Sequence, residues 1–217
     1  MIDEAASTIE ARGALLLALR QAGVRNVDVL RAIETVPREI FVPHRLRDLA
    51  ARNCPLPIAC GQTMEAPGDL AAMLEALDLQ PTHRVLEVGA GSGYSTAVLS
   101  RLVSEVLACE RFHTLALEAR ARLEQIGAAN AVVECADGLA EPENLGRFDR
   151  IIVHARLAAP DPRLVGALAP GGRLVCGLPS KDRQGVDLCI VVAPQADIWR
   201  LGPARLGPAL SGVAAVL

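Results

Sequence analysis

The chain has 217 residues, 51% of them hydrophobic and 22% charged, with a formal net charge of −3. That length accommodates one sizeable α/β domain plus an extension. No apolar run reaches the ~20 residues of a membrane span. No cationic surplus suits general nucleic-acid binding, and the opening Met-Ile-Asp-Glu lacks the basic region of a signal peptide. The expectation is a cytoplasmic protein with neither nucleic acid nor membrane as partner.

Residues 4–22 carry Ile9, Leu15, Leu16 and Leu19 at helical spacing, with Gly23 as the stop. A second helix spans 27–36 and ends at Pro37. Phe41-Val42-Pro43 is extended, and 44–51 reads as a short basic helix. Residues 53–67 are rich in Pro, Gly and Cys and read as loop. Residues 68–79 make an amphipathic helix with Leu70, Met73, Leu74 and Leu77 on one face.

From Arg84 onward strands and helices alternate. Strand candidates are 84–89, 105–110, 131–136, 149–154, 172–178 and 187–193, and helix candidates are 93–103, 112–126 and 161–169. Continuous apolar strands such as Ile151-Ile152-Val153 indicate burial on both faces, as in a parallel sheet. The 179–185 connection is too short for a crossover helix, so the last two strands pair antiparallel. The pattern is an α/β, doubly wound, mostly parallel sheet with an antiparallel C-terminal hairpin and an N-terminal helical extension. The extension and its loop take residues 1–66, and the compact unit takes 67–217. Of the six cysteines, Cys109, Cys135, Cys176 and Cys189 lie in apolar strand-like runs and read as small core hydrophobes. Cys54 and Cys60 flank the loop; with no Cys-x-x-Cys pair and no histidine cluster, no metal site is expected.

The first of these strands runs into Glu87-Val88-Gly89-Ala90-Gly91-Ser92-Gly93-Tyr94. Glycines at such a turn let the backbone approach a ligand closely, and Glu110 at the tip of the next strand is placed to accept hydrogen bonds from ribose hydroxyls. Tyr94 stands where a dinucleotide fingerprint would carry its third glycine. Asp137-Gly138 ends the third strand, and Pro170-Gly171-Gly172 turns into the fifth. This Glu-x-Gly-x-Gly-x-Gly arrangement resembles Class I S-adenosylmethionine-dependent methyltransferases. Val36-Pro37-Arg38-Glu39-Ile40-Phe41-Val42-Pro43, Leu56-Pro57-Ile58 and Gly61-Gln62-Thr63, in that order, narrow the resemblance to the protein-L-isoaspartate O-methyltransferases. It covers about residues 30–178, with a weaker echo in 201–206.

The resemblance implies a Rossmann-like, seven-stranded fold. It also implies methyl transfer from S-adenosyl-L-methionine to the free carboxylate of isoaspartyl residues in damaged peptides and proteins, leaving S-adenosyl-L-homocysteine. Under it, Glu87, Gly89, Ala90, Gly91 and Gly93 serve the methionine end and the close backbone approach. Glu110, with Arg111 beside it, holds the ribose, and Asp137 and Gly138 meet the adenine. Met64 covers the donor, and Thr63 and Glu65 face the acceptor as catalytic candidates.

The chain departs from the family at the acceptor. The loop serine is replaced by Glu65, and a small-residue segment after the fourth strand is replaced by His154-Ala155-Arg156-Leu157. Gly68-Asp69-Leu70 stands where the family often has a histidine, and the tail beyond Val192 is short. An ionised Glu65 at 4 Å from an anionic acceptor would cost ~1–4 kcal/mol. Three readings stand: Glu65 turned away or protonated, Glu65 as general base for a different, hydroxyl or amine, acceptor, or cofactor binding with weak or lost isoaspartyl activity, as in a non-catalytic S-adenosylmethionine-binding protein. His154 and Arg156 are substrate-facing candidates; Arg156 offers a partner for Glu65 or for an anionic substrate, and His154 a hydrogen-bonded wall residue.

Overall fold

A computed structural model describes residues 2–214, with the side chains of 2–9 and of 143 outside the described set; Ile9 is among these. Helix α1 (Ile2–Gln21) buries Leu15 and Leu19, and α2 (Val27–Thr35) buries Val29, Leu30, Ala32 and Ile33. Asn26 caps α2 by accepting from the N–H groups of Asp28 and Val29. The expected helix at 44–51 is a 3-10 segment, His44–Leu49, with no buried side chain to support a longer amphipathic helix. Within the expected loop, β1 (Leu56–Pro57) and β2 (Thr63–Met64) form a small antiparallel ladder. Helix α3 (Pro67–Leu77) starts on a proline and stops at left-handed Asp78.

The sheet contains β3 (Arg84–Val88), β4 (Glu105–Glu110), β5 (Ala131–Cys135), β6 (Phe148–Arg156), β7 (Leu168–Pro179), β8 (Val186–Val192) and β9 (Asp197–Ala204). Its seven strands run in the order β5-β4-β3-β6-β7-β8-β9. The strands from β5 through β7 are parallel, and β8 and β9 close the sheet antiparallel. Helices α4 (Tyr94–Leu99), α5 (His113–Gln125) and α6 (Pro162–Gly166) connect them. Alternate strand residues enter two cores. Val85, Val106 and Ile152 pack with residues of α1 to α5, and Leu86, Ile151 and Val153 pack with Leu164 of α6. Among the described residues no helix is long and apolar enough to cross a membrane.

Helix α4 is shorter than expected. The Ser100 hydroxyl donates to the Ala97 carbonyl at 2.7 Å, an alternative to helix continuation. Strand β9 was not among the expected strands, because Trp199 and Leu201 point apolar surface outward and Gly202-Pro203 interrupts the run. The chain leaves β3 toward β4 and β5, then returns to β6 on the other side of β3. The crevice between the carboxyl ends of β3 and β6 is therefore where such a sheet takes its ligand.

Gly93, at φ 89, forms the N-cap of α4, and a Cβ there would lie 3.0 Å from the Ala119 Cβ on α5. Gly93→Ala is expected to lower unfolding free energy by about 1–3 kcal/mol, read by urea titration.

Candidate active site

The turn after β3 is fixed by its neighbour strand. Gly89 and Ala90 donate backbone N–H to the Cys109 carbonyl at 2.8 and 3.1 Å. Gly91, at φ 56, donates to Glu110 Oε2 at 2.8 Å, and Phe112 N–H donates to Glu110 Oε1 at 2.9 Å. Glu110 is thus a buried carboxylate with each oxygen anchored once, and it still borders a cavity of about 470 Å³. Gly89, Ala90, Arg111, Asp137 and Gly138 border the same cavity. A Cβ at Gly138 would fall 2.9 Å from both Cys109 Cβ and Val88 Cγ2, so only glycine fits that wall.

The chain's own tail closes one side, with residues 205–210 lining the cavity. Arg156 N–H donates to the Gly207 carbonyl and Ala209 N–H to the Arg156 carbonyl. Arg111 Nε donates to the Gly212 carbonyl at 2.8 Å, and Gly212 N–H donates to Asp137 Oδ2 at 2.6 Å.

Another side is the loop that carries Thr63, Met64 and Glu65. Arg38, 4% exposed, organises it by donating to the carbonyls of Ala50, Arg52, Cys54 and Glu65 at 3.0–3.2 Å. Beneath the loop, the Ser92 hydroxyl meets Met64 Sδ at 3.5 Å. The Glu65 side chain turns inward to His154 at the end of β6. His154 Nδ1 lies 3.1 Å from Glu65 Oε1, and Nε2 lies 2.9 Å from Glu87 Oε1. The Thr96 hydroxyl donates to Glu87 Oε2 at 2.5 Å. The side chains of His154 and Glu87 are 5% and 0% exposed, and that of Glu65 is 20% exposed.

Burial alone would lower the His154 pKa, but the charge and hydrogen bonds of Glu65 and Glu87 push it up to about 10. Burial would raise that of Glu65, yet the imidazolium, with Arg38 behind it, holds it below the usual carboxylate range. His154 is therefore a buried cation donating from both ring nitrogens.

These positions revise several expectations. Glu65 neither turns away nor pairs with Arg156; its partner is His154. Arg156 is not among the cavity-lining residues and offers its backbone to the tail instead. Glu87 stands behind the wall, with both oxygens engaged by His154 and Thr96, and Gly93 serves helix packing. Arg111 borders the cavity while its guanidinium holds the tail. Sequence reasoning gave no role to Arg38, and it read the tail beyond Val192 as short, whereas residues 205–210 line the cavity. For Arg38 the available signal was a lone arginine among Phe41, Val42 and other residues that become buried.

Comparison with known proteins places the chain as a whole. The family model described as protein-L-isoaspartate(D-aspartate) O-methyltransferase matches residues 10–193. A relative from Rhodopseudomonas palustris (strain HaA2), named protein-L-isoaspartate O-methyltransferase 2, is 48% identical over 91% of this chain and 92% of its own. One from Azorhizobium caulinodans, named protein-L-isoaspartate O-methyltransferase, is 40% identical over 100% of both chains. In fold, the chain is similar to a Plasmodium falciparum structure titled a putative protein-L-isoaspartate O-methyltransferase in complex with S-adenosyl-L-homocysteine. The TM-score is 0.79 at 22% identity, over 90% of this chain and 96% of that one.

The raised His154 pKa links the site to stability. The extra proton stabilises the folded state fully below the ordinary value of 6.5, and that contribution is lost as pH rises through about 10. Across that window the stability advantage of the native chain over His154→Gln is expected to shrink, by at most about 1.4 kcal/mol per pH unit, in urea titrations at stepped pH.

Proposed function

The chain belongs to the protein-L-isoaspartate(D-aspartate) O-methyltransferase family, and on that premise we propose that it repairs damaged proteins by methylating the free carboxylate of their isoaspartyl residues. The observation that carries this reading is one cavity bordered both by the Gly89–Gly91 turn with Glu110 and by the Glu65–His154 pair. A donor site and an acceptor site share that space.

The residues present fit S-adenosyl-L-methionine. The Ser95 hydroxyl is buried, borders the cavity and has no hydrogen-bond partner among the described residues. Such an orphan at a helix start suits a polar ligand group. Glu110 would take the ribose hydroxyls on the lone pairs its backbone anchors leave free. Asp137 and Gly138 would meet the adenine, and the Gly89–Gly91 backbone with Ser95 would meet the methionine end. Bound there, the cofactor supplies a methyl group activated on a sulfonium.

The chain's residues then have little proton chemistry to perform. A carboxylate acceptor is already ionised near neutral pH. Its needs are alignment and exclusion of water, which the tail and the Arg38-braced loop provide. Glu65, held below the usual carboxylate range, is a poor general base. That disfavours a hydroxyl or amine acceptor and favours the isoaspartyl carboxylate. The six cysteines are free, as suits work in the reducing cytoplasm.

With labelled S-adenosyl-L-methionine and an isoaspartyl peptide, the purified chain is expected to yield labelled methyl ester, and none with the ordinary aspartyl peptide. Glu110→Ala is expected to weaken calorimetric S-adenosyl-L-homocysteine binding by about 1–3 kcal/mol, the cost of leaving buried hydroxyls unpaired.

A further inference from the structure

We propose that Glu65 and His154 form one coupled positioning pair for the acceptor: His154 pins Glu65 through Oε1 and supplies the positive charge that lets a carboxylate sit beside it, so the cost of exchanging His154 depends on whether Glu65 is present. The inference deepens the isoaspartyl reading and rests on it.

The geometry sets the terms. Glu65 sits on the loop that borders the cavity, and Arg38 grips its backbone carbonyl. A carboxylate fixed there would repel an incoming carboxylate. The nearest counter-charge is the imidazole of His154, at 3.1 Å. Arg38 acts on Glu65 from a greater distance and spends its hydrogen bonds on carbonyls. Arg111 borders the cavity but is engaged by the Gly212 carbonyl. Asp69 also borders the cavity and adds to the acidic character of the wall.

The imidazole cannot drift from this duty. Its second nitrogen is held by Glu87, which Thr96 holds in turn. The charged groups facing it are Glu65 from the loop after β2 and Glu87 from β3, both acidic, and both favour the protonated ring. At its back is the Gly89 backbone, where an added Cβ would lie 3.4 Å from the His154 Cβ. One cation therefore contacts the acceptor loop and the strand that feeds the glycine turn. Losing it leaves Glu65 uncompensated, whereas losing Glu65 leaves the ring with Glu87 as its remaining partner.

A double-mutant cycle on methyl transfer to an isoaspartyl peptide tests the coupling. His154→Gln is expected to raise the peptide KM about tenfold or more through uncompensated repulsion, with calorimetric S-adenosyl-L-homocysteine affinity within about twofold of native. Glu65→Gln supplies the reference against which the double variant is read. The double variant Glu65→Gln with His154→Gln is expected to recover most of the loss caused by His154→Gln. In the native chain kcat/KM should fall on an alkaline limb that Glu65→Gln shifts to lower pH. An unchanged KM in His154→Gln, or a double variant no better than that single one, overturns the proposal. If the native chain binds S-adenosyl-L-homocysteine but methylates no isoaspartyl peptide, the acceptor reading fails by itself. The pair is then judged by NMR titration of the His154 ring. A midpoint that falls in Glu65→Gln supports the coupling, and an unmoved midpoint overturns it; the same titration decides the matter if His154→Gln does not fold.

Discussion

A buried imidazolium between two carboxylates joins the parts of this molecule that must meet during a reaction. His154 lies near the carboxyl end of β6, Glu87 lies within β3, and Glu65 comes from a loop of the N-terminal extension. Burying a single charge costs several kcal/mol, and removing one partner of such a group is more costly still. The folded chain therefore holds the loop against the sheet or leaves a charge unpaired. The loop is also packed, with Leu56 and Met64 in the main core and Cys54 and Ile58 against it, although its ladder strands are only two residues each. Electrostatics here adds direction to that packing, aiming the loop at the carboxyl end of the sheet.

Arg38 performs a related service from the other side of the loop. Its guanidinium gathers carbonyls of Ala50, Arg52, Cys54 and Glu65, groups with no strand or helix to satisfy them. It also lies 5.6 Å from the Tyr94 ring centre, at the head of α4. An irregular segment thereby acquires a fixed shape, joined by Arg38 to the start of α4 and by His154 to the sheet.

The sequence made the parallel strands legible because continuous apolar runs such as Ile151-Ile152-Val153 have few other uses. It hid β9, whose Ile198, Trp199 and Leu201 remain on the surface and so carry no burial pattern. At the site, Glu110 and Gly91 were readable because a strand tip and a glycine turn fix both position and direction. Glu87 was readable in position but not in direction; spacing does not reveal that its carboxylate points behind the wall toward Thr96. Arg156 misled for a further reason. In a regular strand it would share a face with His154, but the register of β6 against β7 shifts between Ile152 and Arg156. The partnership of Glu65 with His154, 89 residues apart, was invisible because it exists only once β6 lies beside β3.

The tail has an entropic meaning as well as an architectural one. Gly212 N–H donates to Asp137 Oδ2, and Arg111 Nε donates to the Gly212 carbonyl. One residue of the tail thus aims a carboxylate and a guanidinium that both border the cavity. A carboxylate oxygen keeps a second lone pair after one such bond. Asp137 therefore meets a ligand as an acceptor already aimed, and its rotamer freedom is lost at folding rather than at binding.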